Sequence, residues 1–259
     1  MKERTVTSIW EFVEAVQTDR AEWDVKVLPW FRGEPSGRDV DGNDIVPLLP
    51  KVYRRSYDEN SLYQFFRMKA PMLGLPIVPA REEIDKWLFV ARHVGLPTRL
   101  LDWTEGALIG LYFAIRERDP VVWMLNPHAL NQLTGAEVRP NEPTITWWSG
   151  PDGNNIYYMN IRDSWEGSTG KHATALPVAI HPTNIHPRMS AQHSCFTIHG
   201  RRKESIAVMV DFTCLRQYRI EMPVQETLRE LRVLGISRST LFPEPEGLAI
   251  ELEELFRED

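Results

Sequence analysis

The stretch His93-Val94-Gly95-Leu96-Pro97-Thr98-Arg99-Leu100-Leu101-Asp102-Trp103-Thr104 governs the reading of this chain, because it gathers a His, an Arg, an Asp and two Thr between two strongly apolar helical segments. Upstream, Ile84, Trp87, Leu88 and Ala91 share one face of a predicted helix that runs through Arg92-His93 and is stopped by Gly95 and Pro97. Downstream, residues 106–117 predict a helix with apolar residues on nearly every side, among them Leu108, Ile109, Leu111, Tyr112, Phe113 and Ile115. A helix that is apolar all round is a central one. Polar side chains held between buried elements need partners, either each other or a ligand. A self-contained turn would have Asp102 capping the next helix and pairing with Arg99, whereas a binding site would turn the same groups to a cleft.

Outward from this block the texture differs on the two sides. Towards the N-terminus, Ser8-x-x-Glu11 begins a capping pattern, and Ile9, Phe12, Val13 and Val16 continue it as an amphipathic helix ending before Asp24. Val25 to Phe31 is rich in strand formers and Gly33 closes it, which makes Arg32 the last side chain of a strand. Glu34 to Pro50 is rich in Gly, Pro and Asp and residues 34–57 read as a long loop, and Ser61-x-x-Gln64 then opens a helix over 58–70. Towards the C-terminus come short β-like pieces at 121–125, 156–159, 176–180, 196–198 and 206–210, with a second long loop at 134–155. Helices at 223–235 and 244–258 close the chain. Helices early and strands late predict an α+β fold rather than a doubly wound parallel sheet.

Composition bounds what this fold can be. The chain has 259 residues, 42% hydrophobic and 25% charged, with no low-complexity linker, so a single domain spanning 1–259 is expected. No apolar run is long enough for a membrane span and the start MKERTVTSIW has no signal-peptide character, which points to a cytoplasmic protein without a membrane partner. A net charge of −6 gives no global attraction to nucleic acid, although Arg201-Arg202-Lys203 and Lys51 with Arg54-Arg55 could form local phosphate-binding patches. Cys195 and Cys214 lack CxxC spacing and read as buried, inert thiols. His172, His181, His186, His193 and His199 crowd the later third without a metal-ligand spacing, so no metal is expected. Trp123, Trp147, Trp148 and Trp165 serve either as core or as a stacking surface. Neither GxGxxG, a P-loop nor GxSxG occurs.

Trp30-Phe31-Arg32-Gly33-Glu34 is the second candidate constellation. A guanidinium offers a rigid fork of donors, so beside a glycine it can grip a phosphate or ribose, with Gly33 letting the ligand approach the backbone. An Arg paired with a carboxylate at a sheet edge would look the same in sequence.

Phe31-Arg32-Gly33, Leu48 to Arg54, the His93 to Thr104 block with Ala107-Leu108 and Leu111-Tyr112-Phe113-Ala114, Arg188-Met189-x-Ala191-Gln192-x-x-x-Phe196-Thr197, and Leu241-Phe242-Pro243-Glu244-x-Glu246-Gly247-Leu248-Ala249 follow one another in order. Together they resemble the FRG domain, a family named for its Phe/Tyr-Arg-Gly motif. Two positions depart from it: Arg92 stands where the family has Gln before the His, and Ser194 where it has Gly. The motif order is in turn similar to that of the ADP-ribosyltransferase superfamily, with Arg32 as the first element, Thr98 to Thr104 leading into Phe113-Ala114 as the second and Gln192 as the third.

That resemblance implies a split β-sheet core with N-terminal and flanking helices, and NAD as substrate. Arg32, His93 and Gln192 would be catalytic; Arg32, Gly33, His93, Thr98, Asp102 and Thr104 would bind the cofactor. The reaction would break the nicotinamide–ribose bond through an oxocarbenium-like state, with Asp102 or a late Glu accepting any proton. The implied setting is an intracellular toxin or anti-phage effector acting on RNA, DNA or protein and restrained by a cognate antitoxin. A non-enzymatic nucleotide- or phosphate-recognition module is the alternative, and a nuclease-like hydrolase would need a carboxylate cluster that the sequence does not display.

Overall fold

In the computed structural model, which describes residues 2–39, 41–75, 77–134, 174–182, 186–211 and 213–257, the apolar run Val121 to Leu125 lies inside the sheet as β4 (Pro120–Leu125). All five of those side chains are buried, as a strand covered on both faces requires. On one side β4 pairs antiparallel with β7 (Leu215–Ile220), which pairs parallel with β1 (Lys2–Val6). On the other it pairs antiparallel with β2 (Trp30–Pro35), in register from Trp30↔Leu125 to Pro35↔Pro120. A second ladder joins β3 (Leu100–Thr104), β6 (Ser194–Ile198) and β5 (Val178–Ile180), all antiparallel. The strand order is β1-β7-β4-β2-β3-β6-β5 in one seven-stranded sheet, so the fold is α+β as expected. The sheet is continuous rather than separated in two, yet β2 and β3 meet at a single residue pair, Phe31↔Thr104. Beyond that pair the strands diverge, and a side chain spans the gap: Arg32 Nη1 donates to the Asp102 carbonyl at 2.9 Å.

One face of the β1-β7-β4-β2 half is covered by α1 (Ile9–Arg20) and α4 (Ala107–Ala114), whose Phe12, Val16, Leu111 and Ala114 join Phe31, Val122, Met124 and Tyr218 in one core. α4 is the central helix its composition predicts. A second core gathers Tyr63 of α2 (Glu59–Lys69) and Trp87, Leu88 and Phe89 of α3 (Ile84–His93) against Val178, Ile180 and Phe196. The third packs Trp30, Trp103 and Trp123 with Cys195, Cys214 and Ile206. Both cysteines are free and buried, and burial pushes their thiols up. Short helices α5 (Pro127–Leu133), α6 (Pro187–Ala191), α7 (Ile206–Met209) and α9 (Arg238–Leu241), and the longer α8 (Val224–Val233) and α10 (Pro245–Phe256), complete the described residues. None of the described helices is long and apolar enough to cross a membrane.

Several local expectations change. The strand expected over 25–31 starts only at Trp30, because Asp24 Oδ1 accepts from Lys26 N at 2.9 Å in a turn that leaves Val25 and Leu28 exposed. Arg32 therefore sits inside β2 instead of ending it. Asp58 rather than Ser61 caps α2, its Oδ1 accepting from Ser61 N at 3.1 Å. Residues 206–209 are helix, not strand: Ser205 Oγ caps the turn through Ala207 N at 3.1 Å. The expected strand 156–159, the loop 134–155 beyond Thr134, and Trp147, Trp148 and Trp165 lie outside the described residues.

His199, at the end of β6, carries a pH dependence. Its ring is buried, Nδ1 has no hydrogen-bond partner among the described residues, and Nε2 lies 3.2 Å from the Glu204 carbonyl. Burial first, and then the Arg99 charge, lower its pKa from 6.5 to about 3. The unfolded chain takes up a proton near the ordinary value while the native state refuses it, so native stability is full above about pH 6.5 and falls as the pH drops towards 3. Urea midpoints between pH 7 and 4.5 should fall in the wild type and fall less steeply in His199→Gln; equal slopes would remove His199 from the acid limb.

Candidate functional site

Strand alternation sorts the residues around Arg32. Phe31 and Gly33 face α4, while Trp30, Arg32 and Glu34 face the opposite side. Gly33 is pressed against the helix: a Cβ there would lie 2.3 Å from both Ala114 N and Gly110 O. The close approach that Gly33 permits is thus made by a helix backbone, in place of the ligand approach expected from sequence. Arg32 Nε donates to Glu34 Oε2 at 3.0 Å, and Glu34 Oε1 accepts the Leu48 amide at 2.8 Å, which ties the following loop to the strand.

Asp102 is held from two sides. Arg92, in the last turn of α3, donates from Nε to both carboxylate oxygens at 3.0 and 2.9 Å and from Nη2 to Oδ2, while Arg32 Nη1 stands 3.8 Å from Oδ2. Surrounding protein disfavours the Asp102 charge, but Arg92 and then Arg32 outweigh that and keep its carboxyl below the usual range. Arg92 is one of the two departures from the family pattern, and its guanidinium has a definite use here. The alternative of an Arg99–Asp102 pair is overturned: Arg99 turns away and binds Glu59, Nε to Oε1 at 2.8 Å and Nη2 to Oε2 at 2.7 Å.

Three adjoining hollows share lining residues along the opening between β2 and β3. One of about 390 Å³ is lined by Arg32, Lys51, Arg54, Arg55 and Arg92 with Tyr57. The next, of about 360 Å³, is lined by Arg92, His93, Asp102, Arg188 and Gln192 with Phe113 and Phe242. The third, of about 230 Å³, is lined by Arg32, Gly33, Asp102, Thr104, Glu117 and Gln192 with Phe113. Burial first, and then the Arg32 and Arg92 charges, pull the Arg54 pKa below its ordinary value, the signature of crowded cations. Lys51 Nζ and Arg54 Nε meanwhile donate to the Gly95 and Leu49 carbonyls, both at 3.0 Å.

The fold therefore places Arg32, Gly33, Asp102, Thr104 and Gln192 around one hollow and His93 around the adjoining one. Thr98 is not with them: it is fully buried, its Oγ1 accepting from Leu100 N at 3.3 Å within the turn. Thr104 Oγ1 donates to the Gln192 carbonyl at 2.7 Å, and Gln192 Nε2 donates to the Leu241 carbonyl at 3.1 Å, so the two motif segments are bonded to each other. The His93 and His186 rings lie against each other, centroids 4.0 Å apart and planes tilted by 39°; burial first, then His186 and Arg188, lower the His93 pKa to about 4. The Arg32–Glu34 contact is the arginine–carboxylate pair that the sequence offered as the alternative reading of that constellation, whereas the roles of Arg188 and Glu244 were missed. Arg188 Nε donates to Glu244 Oε1 at 3.0 Å across 56 positions, a pairing with no local signal.

No curated protein and no solved structure matches the chain. The later motifs, Arg188 to Thr197 and Leu241 to Ala249, lie beyond the segment that a family model recognises. That segment contains the Phe31-Arg32-Gly33 strand, the cationic loop and the His93 to Thr104 block, and it is over these residues, 29–121, that the chain matches the FRG domain.

Proposed function

We propose that the opening between β2 and β3 binds a nucleotide through its phosphates, and that it does so as an NAD-dependent mono-ADP-ribosyltransferase. The observation that carries the reading is the lining: Arg32, Lys51, Arg54, Arg55 and Arg92 surround one hollow, and the only carboxylates among the described residues lining the three hollows are Asp102 and Glu117. Guanidinium forks crowded in this way suit a diphosphate, which would relieve their mutual repulsion. Phe113 and Phe242, further along, offer faces to a planar ring. A sheet that opens at one residue pair beside Arg32 is consistent with the split core of the superfamily whose motif order the chain resembles.

In this reading the arginines anchor the diphosphate and Gln192 orients the nicotinamide-side ribose, while the anomeric carbon is exposed to a nucleophile on RNA, DNA or protein. His93 would add a neutral hydrogen-bonding group to the same wall. Asp102 is a poor base, since its oxygens are committed to Arg92. Glu117 is then the remaining carboxylate for proton acceptance. The commitment of Asp102 also favours a second reading, a non-catalytic nucleotide- or phosphate-recognition module. A role as toxin or anti-phage effector with a cognate antitoxin rests on the family resemblance alone.

Binding of ADP-ribose and NAD to Arg54→Ala and Arg55→Ala should be about 10-fold weaker each, the loss of one charge-assisted contact, with little change in melting temperature for Arg55→Ala. Nicotinamide release in the presence of an acceptor supports transfer. Binding without release against RNA, DNA and protein acceptors leaves the recognition module, and wild-type-like affinity in both variants would remove the phosphate cleft altogether.

A further inference from the structure

His93 ends α3, His186 is the N-cap of α6 and Glu244 the N-cap of α10, three element ends brought to one point from distant parts of the sequence. One ligand atom from each lies within 4.8 Å of the others. We propose that these three side chains hold a divalent transition-metal ion of the zinc class, with a fourth position open to the cleft that His93 lines. This assignment does not depend on the nucleotide reading.

The state of two of the three side chains points to a ligand. The half-buried His93 imidazole lies against the His186 ring and has no side-chain hydrogen bond among the described residues. Glu244 Oε2 is buried and has no hydrogen-bond partner there either, whereas Oε1 accepts from Arg188 Nε at 3.0 Å and lies 3.8 Å from His186 Nδ1. A carboxylate with one oxygen oriented by a neighbour and the other unmet is in the state expected of a metal ligand whose second oxygen is fixed by an outer partner. The Arg188 guanidinium is itself placed against the Phe242 ring, 5.0 Å from its centroid. Two imidazoles and one carboxylate form the donor set of three-ligand zinc sites with an open position, and they exclude calcium and magnesium, which take oxygen ligands.

Metal–ligand bonds of about 2.0–2.2 Å in a tetrahedron set the ligand atoms roughly 3.4 Å apart, so the present cluster must contract by an ångström or so. His186 Nδ1 accepts the Arg188 amide at a long 3.2 Å, a bond that the ion would replace. The Arg188 charge opposes a second cation, so micromolar rather than nanomolar affinity is expected. The sequence hid this site because the ligands share neither a helix face nor a loop.

The test uses the full chain, stripped with chelator and titrated with Co²⁺ and with Zn²⁺. The expected result is one ion per chain, a visible Co²⁺ spectrum of tetrahedral nitrogen–oxygen type without a thiolate band, and a rise in melting temperature on adding Zn²⁺. His93→Ala, His186→Ala and Glu244→Gln should each weaken binding at least 10-fold and abolish the Zn²⁺-induced rise, while His181→Ala should leave both unchanged. His93→Asn and His186→Asn replace any alanine variant whose metal-free form does not fold. Absence of one-to-one uptake by the wild type, or uptake unaltered in all three variants, overturns the assignment.

Discussion

Gly33→Ala lowers the melting temperature by about 6–12 °C, the expected consequence of roughly 3 kcal/mol of overpacking in a chain of this size. A methyl at position 33 would stand 2.3 Å from Ala114 N and Gly110 O, and both are backbone atoms of a buried helix. No rotamer change relieves that contact; α4 must move off β2, and with it the core that joins Phe31, Val122 and Met124 to Leu111. Gly110→Ala meets Phe31 Cβ at 2.9 Å and should cost less. The glycine of the Phe-Arg-Gly tripeptide is thus explained by helix-on-strand packing, with Arg32 turned to the opposite face. If Gly33 served ligand approach instead, Gly33→Ala would melt like the wild type and lose only binding. Thermal unfolding of Gly33→Ala and Gly110→Ala distinguishes the two roles.

Where one periodicity dominates, the fold was readable. The helices at 9–20, 84–93 and 107–114 and the strand at 120–125 follow from apolar spacing, because each buries a face or is buried all round. β1, Lys2-Glu3-Arg4-Thr5-Val6, escapes that logic. It is a charged edge strand held by its ladder to β7 and by Arg4, whose Nη2 donates to the buried Asp19 at 2.8 Å. β7 was missed because Arg216, next to its first residue, is buried and breaks the apolar alternation. Ile206 to Met209 misled because a short apolar run fits either period, and only the Ser205 cap decides it.

The site divides in the same way. Arg32, Asp102, Thr104 and Gln192 could be named because they sit in compact motifs, and the fold brings them around one hollow. What sequence could not supply is direction. Arg99 is much nearer to Asp102 along the chain than Arg92 is, so spacing favours the wrong partner, and only the fold shows that Arg92 reaches it while Arg99 points to Glu59. Thr98 looked like a ligand-facing hydroxyl and is a turn residue. The pairing of Arg188 with Glu244 required the tertiary fold.

That misdirected arginine gives the largest stability effect. Arg99 and Glu59 are 6% and 15% exposed and bonded in a fork, and Tyr63 Oη donates to the same Glu59 Oε1 at 3.1 Å. Burial works against the Arg99 charge, but the hydrogen bonds and charge of Glu59 hold its pKa above the ordinary value. Glu59→Gln removes the carboxylate charge and leaves a buried guanidinium charge without its anion beside the neutral His199 ring, so it should cost about 3–5 kcal/mol. Replacing both partners by leucine removes the buried charge along with its partner, and should recover most of that loss. Urea unfolding of Glu59→Gln and of the Glu59→Leu/Arg99→Leu double variant gives the comparison. The pair is structural if the double variant is the more stable and still binds ADP-ribose as the wild type does. A double variant no better than Glu59→Gln would mean that Arg99 holds the turn before β3, and with it Asp102, through its other contacts.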